Sequence, residues 1–303
     1  MKLRDLLQLI KNVAAGNDIN EPMIVGGIPR DRLLDLIRPD ELNDLDITTG
    51  NKLIHNLGRE LELELKKQYT IKVKQGDDGH LSIIFPGNKF KLDCSSFFTL
   101  PNIDKLLLKK GIKTPTDLQR EMFSRDFNVN SLLMTLDLKT IKDPTKEGLK
   151  DIKNRILNTC LDIDTTLRYN PNRIIRTVYL SSKLDFDVNP AIIKWISENK
   201  DLIRLSTDHY LTKNIDKAMS RDPDRALFII NKANLWDVIP ITDQLMPYFV
   251  KKNPNKTAQL RRNFDLNEGF YSNMQRYKSL SDFRRKRRKK RLKEIKNLLR
   301  NNK

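Results

Sequence analysis

Apolar positions along this chain recur with two periods, one helical and one extended. Near the N-terminus Leu3, Leu6, Leu7, Ile10 and Val13 keep helical spacing, and Asp5, Gln8 and Lys11 interrupt them. That pattern predicts an amphipathic packing helix and argues against a secretory signal. "PMIVGG" is a short apolar run closed by two glycines and reads as a strand. "PRDRLLDLI" then starts a helix with Pro29 near its first turn. "NDLDITT" reads as a strand with β-branched residues at its end, and "NKLIHNLGRELELELKKQ" as a long helix despite Gly58. "YTIKVKQGDDGHLSIIF" predicts a hairpin, because alternating runs flank a Gly/Asp turn. "NKFKLDCSSFF" is a further strand, in which Phe90 and Leu92 alternate with Lys89, Lys91 and Asp93.

From about residue 149 the strand signals fade. "NPNRIIRTVYLSSKL", "PAIIKWISEN", "LTKNIDKAM" and "PDRALFIINKANL" are all helical in period, several opened by Asn-Pro or Asp-Pro. The expected organisation is an α+β head over residues 1–148, an all-helical neck over 149–250, and a polar, then strongly basic tail over 251–303.

Charge sharpens this division. The 303 residues carry a net charge of +18; from Arg276 to Lys303 there are fourteen Lys/Arg against two acids, so +12 lies in the tail and +6 in the rest. A tail this basic suits a polyanion, either nucleic acid or an anionic membrane surface. "FRRKRRKKRLKEIKNLLR", residues 283–300, also keeps Leu292, Ile295, Leu298 and Leu299 at helical spacing. It lacks bulky aromatic anchors beyond Phe283, which disfavours a membrane surface. No apolar run approaches the roughly 18 residues of a membrane span. Only two cysteines occur, Cys94 and Cys160, without C-x-x-C spacing. This points to the cytoplasm or another reducing intracellular compartment and away from a disulfide framework. His55, His80 and His209 are too scattered to suggest a metal site.

The chemistry concentrates in "MIVGGIPRDRLLDLIRPDELNDLDITTG", residues 23–50. Along a strand, residues i and i+2 share a face, roughly 6–7 Å apart. Asp44 and Asp46 so placed repel each other unless a cation relieves them, and hard carboxylate oxygens suit magnesium. Gly26-Gly27 removes side chains where backbone N–H groups would approach a phosphate, at a helix start that favours anions, and Arg30 can reach the same anion. Taken singly, the glycines read as a tight turn and the aspartates as caps. In the order strand, Gly-Gly, helix, strand, Asp-x-Asp, they point to metal-assisted phosphoryl chemistry.

"GGIPRDRLL" followed by "DLDITT" resembles the head signature of class II template-independent RNA nucleotidyltransferases. These are the CCA-adding tRNA enzymes and bacterial-type poly(A) polymerases, within the polymerase-β-like superfamily. Further matches follow in order. "SRDFNVNSLLM" resembles R-R-D-F-T-x-N-A, "DPTKEGLKDIKNRIL" resembles D-P-x-x-G-x-x-D-L, and "NPNRIIRTVYLSSKLDFDV" resembles E-D-x-x-R-x-x-R-A-x-R-F. The similarity covers roughly residues 22 to 240.

The resemblance implies a mixed-sheet head with a helical neck, and magnesium-dependent transfer of a nucleotide from CTP or ATP to an RNA 3′ end. The expected partners are nucleoside triphosphates and RNA, above all tRNA in CCA-end addition or repair. Gly26, Gly27 and Arg30 would hold the triphosphate, with Asp31 orienting the turn. Asp44 and Asp46 would ligate metal. Asp93 is a candidate third catalytic carboxylate or else a solvated edge-strand residue. Arg125 and Asp126 would contact phosphate and ribose, with Asn130 bracing their loop. Arg173 and Arg176, which share a helix face at i, i+3, would read the base and touch triphosphate, where spacing alone reads them as surface arginines. In the tail, Arg284, Arg285, Arg287, Arg288, Lys289, Lys290 and Arg291 would bind RNA phosphates.

Departures from the pattern bear on specificity. Tyr169-Asn170 stands where the family has Glu-Asp; Asn170 offers a donor as well as an acceptor, which leaves base choice open. Ser124 replaces the first arginine of R-R-D-F, Asn128 the threonine, and Phe98 an arginine. No departure removes a metal ligand. Two other readings stand beside CCA addition: poly(A)-like tailing, and a catalytically silent RNA-binding or assembly protein that keeps the fold.

Overall fold

The computed structural model describes residues 2–38, 42–76, 80–88, 90–94 and 99–248, so the basic stretch at 283–300 and Phe98 lie outside the described residues. The chain divides into two compact units between Tyr169 and Asn170. In order, the first holds α1 (Leu3–Gly16), β1 (Met23–Ile24), α2 (Gly27–Leu33), β2 (Asp44–Thr48), α3 (Leu53–Lys66), β3 (Lys72–Gln75), β4 (Leu81–Ile84) and β5 (Lys91–Cys94). It continues through α4 (Ile103–Lys109), α5 (Asp117–Phe123), a 3-10 turn at Asn128–Asn130, β6 (Leu133–Met134), β7 (Ile141–Lys142), α6 (Gly148–Asn154), β8 (Ile156–Leu157) and α7 (Ile163–Tyr169).

Seven of these strands form one mixed sheet in the order β3-β4-β5-β2-β1-β6-β7. Strands β2 and β5 run parallel, and the other neighbouring pairs run antiparallel. Alternation decides which side chains meet the core. Leu45, Ile47, Leu92 and Cys94 are fully buried on one face. Helices α1 and α3 cover it with Leu6, Ile10, Ile54, Leu57, Leu61 and Leu65 in the same apolar cluster. Each such side chain contributes about 1.5–3 kcal/mol on burial, so together they fix how β2 and β5 face. Gly58 in mid-helix has a packing reason: a Cβ there would stand 3.2 Å from Cys94 Cβ, so α3 lies close against β5.

The first unit runs past the boundary expected at residue 148. Asp151 on α6 is buried and accepts from Asn128 Nδ2 at 2.8 Å and Asn158 Nδ2 at 2.9 Å. A buried carboxylate with two amide donors, Asn128 buried and Asn158 half-buried, ties α6 and the chain after it to the 128–130 turn. The "DPTKEGLKD" segment therefore packs as part of the head. Both cysteines are buried and neither is in a disulfide among the described residues.

The second unit is helical, as its periodicity predicts: α8 (Asn172–Leu184), α9 (Pro190–Glu198), α10 (Asp208–Arg221) and α11 (Pro223–Lys232), with one short strand, β9 (Asp187–Val188). Caps set its starts. Asn189 accepts from Ala191 N before Pro190, and Asp222 accepts from Arg225 N before Pro223. Helix α8 packs against α10 and α11, burying Ile174, Ile175 and Val178. Among the described residues no helix is long and apolar enough to cross a membrane.

Replacing Asp151 with alanine leaves a buried and a half-buried amide donor without their acceptor, so Asp151→Ala is expected to lower the unfolding free energy by about 1–3 kcal/mol. Urea denaturation followed by circular dichroism measures it, and an unchanged midpoint would remove Asp151 from the head's framework.

Candidate active site

Two registers build the site. Asp44 and Asp46 alternate with buried Leu45 and Ile47, so both leave β2 on the face opposite α1 and α3. The parallel pairing sets Asp44 opposite Lys91 and Asp46 opposite Asp93. One carboxylate oxygen from each of Asp44, Asp46 and Asp93 lies within 4.8 Å of the others. Strand β5 runs between β4 and β2, so Asp93, 6% exposed, is a central-strand residue and not the solvated edge residue that was its other reading.

The three acids differ in how their charge is met. Burial pushes Asp93 up, but hydrogen bonds from His80, Lys91 and Ser82 outweigh it and bring its pKa down to about 2. Ser82 Oγ donates to Asp93 Oδ1, and Lys91 Nζ pairs with Asp93 Oδ2. Asp46 has no such help. Burial and the charges of Asp44 and Asp93 push it up to about 6, against weaker pulls from Arg125 and Lys91. Asp44 is raised by burial, with Lys91 opposing and Asp93 adding to the rise.

The glycine turn lies against this cluster. Gly26 has φ +79°, and a Cβ there would come 2.8 Å from Asp46 Oδ2. A side chain is excluded both by backbone conformation and by the carboxylate. Arg30 lies against the same turn, its Nη2 3.0 Å from where a Gly27 Cβ would stand. It is 2% exposed and gives Nε and Nη2 to Asp31 Oδ1 at 2.8 and 2.7 Å, while Nη1 donates to Asn130 Oδ1. Asn130 Nδ2 in turn donates to Asp126 Oδ1 at 2.9 Å. Arg30 thus braces α2 and Asp31 against the 126–130 turn.

Arg125 adds a second positive charge near the acids, beside that of Lys91. Its charge acts on Asp46, its Nη2 is held by Glu121 Oε1 at 2.9 Å, and its Nε is buried without a hydrogen-bond partner. Glu121, itself 2% exposed, also accepts from Thr48 Oγ1 at 2.6 Å, which fastens α5 to the end of β2. Sequence reasoning missed Glu121, Lys91, His80 and Ser82. Only the i, i+4 spacing of Glu121 and Arg125 offered a signal.

Asn170, Arg173 and Arg176 belong to the second unit. Asn170 Oδ1 accepts from Asn172 N at 3.1 Å at the head of α8, and Arg173 is buried in that helix. Arg176 lies near Lys217, whose pKa is lowered by burial, then by the charges of Lys213 and Arg176. The Lys217 ammonium sits 5.6 Å from the Tyr179 ring centre. This is a cationic face on α8 and α10. The tail's basic residues lie outside the described residues.

The donor set suits a hard divalent cation: three carboxylates from adjacent strands, one of them, Asp46, without a hydrogen bond or ion pair among the described residues. A mixed sheet with an acidic trio on one face and a glycine turn beside it defines a nucleotidyltransferase-type head. Residues 22–158 match the family described as the poly A polymerase head domain.

A tRNA nucleotidyltransferase of Schizosaccharomyces pombe is 24% identical over 65% of this chain and 42% of its own length. A CCA-adding enzyme of Pediococcus pentosaceus is 25% identical over 84% of this chain and 61% of its own. Among solved structures, the Thermotoga maritima CCA-adding enzyme complexed with tRNA aligns with TM-score 0.57 and 17% identity, over 76% of this chain and 50% of that one. The chain thus spans less than two thirds of the length of these relatives, and the structural match bears out the fold.

The raised pKa of Asp46 carries a stability consequence. The folded state holds this proton more tightly than the unfolded chain, so the stability it lends is full below pH 3.8 and is lost as pH rises through about 6. In chelator, Asp46→Asn, which mimics the protonated acid, is expected to exceed the parent protein's stability by roughly 1–3 kcal/mol at pH 7.5, after discounting for solvent screening. The gap should close towards pH 4. Urea melts at the two pH values test this, and a gap of the same size at both would disprove it.

Proposed function

We propose that this protein adds or repairs the CCA end of tRNA. It would join nucleotides from CTP and ATP to an RNA 3′ hydroxyl without a template. The observation that carries the reading is the convergence of Asp44, Asp46 and Asp93 on one sheet face, with Gly26 against Asp46 and Arg125 beside it. The names of the relatives, tRNA nucleotidyltransferase and CCA-adding enzyme, supply the substrate class.

In this reading Asp44, Asp46 and Asp93 hold magnesium, which when bound stabilises negative charge on the attacking and leaving oxygens. The 3′ hydroxyl attacks the α-phosphate, the bond to the β-phosphate breaks, and pyrophosphate leaves. Gly26 and Gly27 let backbone come close to the triphosphate, and Arg125, fixed by Glu121, offsets charge growing on it. Asp126, steadied by Asn130, is placed to accept from ribose hydroxyls. Asn170, Arg173 and Arg176 read base and triphosphate, and the tail at 276–303 holds RNA by phosphate charge, with affinity that falls as salt rises.

A second reading, poly(A)-like tailing with altered base choice, is favoured by one observation. Asn170, whose Oδ1 accepts from the Asn172 N–H, stands where the family pattern has an acid, so an amide that can donate replaces a group that only accepts.

With magnesium and tRNA lacking its terminal CCA, CTP and ATP together are expected to restore a three-nucleotide end. Sequencing the product 3′ ends decides the matter: long A-only growth would replace the CCA reading with tailing, and no growth with any nucleotide would leave an RNA-binding scaffold. Asp46→Ala is expected to slow extension by on the order of 10²–10³-fold or more, measured in single-turnover assays on the full chain.

A further inference from the structure

Lys91 is a cation that the chain itself seats among the acids. It lies two residues before Asp93 on β5, shares its face, and pairs in register with Asp44. Its ammonium contacts Asp93 Oδ2 and lies 3.5 Å from Asp44 Oδ1, with the side chain 38% exposed. Asp46 is left out of this ion pairing. The other charged or titratable groups near the trio are His80, 3.6 Å from Asp93, and Arg125 near Asp46.

We infer that Lys91 is a displaceable internal counter-ion, holding the place of a divalent cation so that metal binds by exchange with its ammonium. The inference rests on the metal-centre reading of the trio. An oxygen in contact with the Lys91 ammonium cannot offer the same lone pairs to a metal, and two cations in so small a space repel. Removing the ammonium changes the local charge from three negatives and one positive to three negatives, which favours a dication. The same removal leaves the acids to repel each other when no metal is bound. Lys91 therefore acts in opposite directions on two measurable quantities: it stabilises the metal-free fold and weakens affinity for free metal. Metal arriving with a triphosphate displaces it more readily, because the released ammonium then meets a new anion. Metal and nucleotide binding are coupled through this one side chain.

The test uses the full chain freed of metal, with Mn2+ as the probe and free Mn2+ counted by electron paramagnetic resonance at fixed ionic strength. Lys91→Met is expected to bind Mn2+ about tenfold more tightly than the parent protein, while Lys91→Arg, which keeps the charge, stays near it. In chelator, Lys91→Met should also melt at lower urea. Lys91→Gln carries the same expectations and serves if the methionine variant does not fold. Unchanged or weaker Mn2+ binding in the folded neutral variants, with the parent protein binding the ion, overturns the inference. If neither parent nor variant binds Mn2+ while both are folded, the metal-centre reading itself fails.

Discussion

Like charges held together by backbone register are the constraint on which this head turns. Asp44, Asp46 and Asp93 cannot avoid one another, because β2 and β5 run parallel with Asp46 opposite Asp93, and Leu45, Ile47, Leu92 and Cys94 are buried on the other face. Rotating either strand to relieve the acids would drive those side chains out of the core. The hydrophobic energy gathered under α1 and α3 thus maintains an electrostatic strain on the opposite face. Part of the strain is met by the chain itself through Lys91, Ser82 and His80 at Asp93, and part is left at Asp46, where it shows as a carboxyl that titrates near 6.

Around this strained face the rest of the head is fastened by buried polar pairs. Glu121 joins Arg125 to Thr48 and so couples α5 to β2. Arg30 joins the glycine turn to Asn130, and Asn130 joins Asp126. The links from Thr48, Arg30 and Asn130 are buried, and a desolvated link with its partners in place is stiff, because leaving either partner unpaired is expensive. The site is positioned by these crosslinks as much as by the sheet.

Much of this was legible in the sequence. Alternation alone placed Asp44 and Asp46 on one face, and the helix, the hairpin and the strands β1, β2 and β5 follow the periods read from residues 3–94. Asp93 came within reach only through resemblance to a family, because no single sequence states which distant strand lies beside which, or in what direction. Lys91 was invisible for the same reason: its role depends on standing opposite Asp44. The bond from Arg30 to Asn130 was likewise out of reach, since it joins residues a hundred positions apart. Glu121 was missed because an acid in the middle of a helix ordinarily faces water. The β6–β7 hairpin, with two residues in each strand, is too short to show any alternation.

The insertion of β5 between β2 and β4, both of which precede it in the chain, has a consequence for how the protein comes into being. During synthesis β2 emerges with one edge bare, its aspartates already made and their third companion still on the ribosome. Contacts this distant form slowly, since a long loop must close first. Until that strand slots in, the nascent chain lacks the third acid of the trio and has an open sheet edge to guard, so the acidic cluster arrives only with the completed sheet.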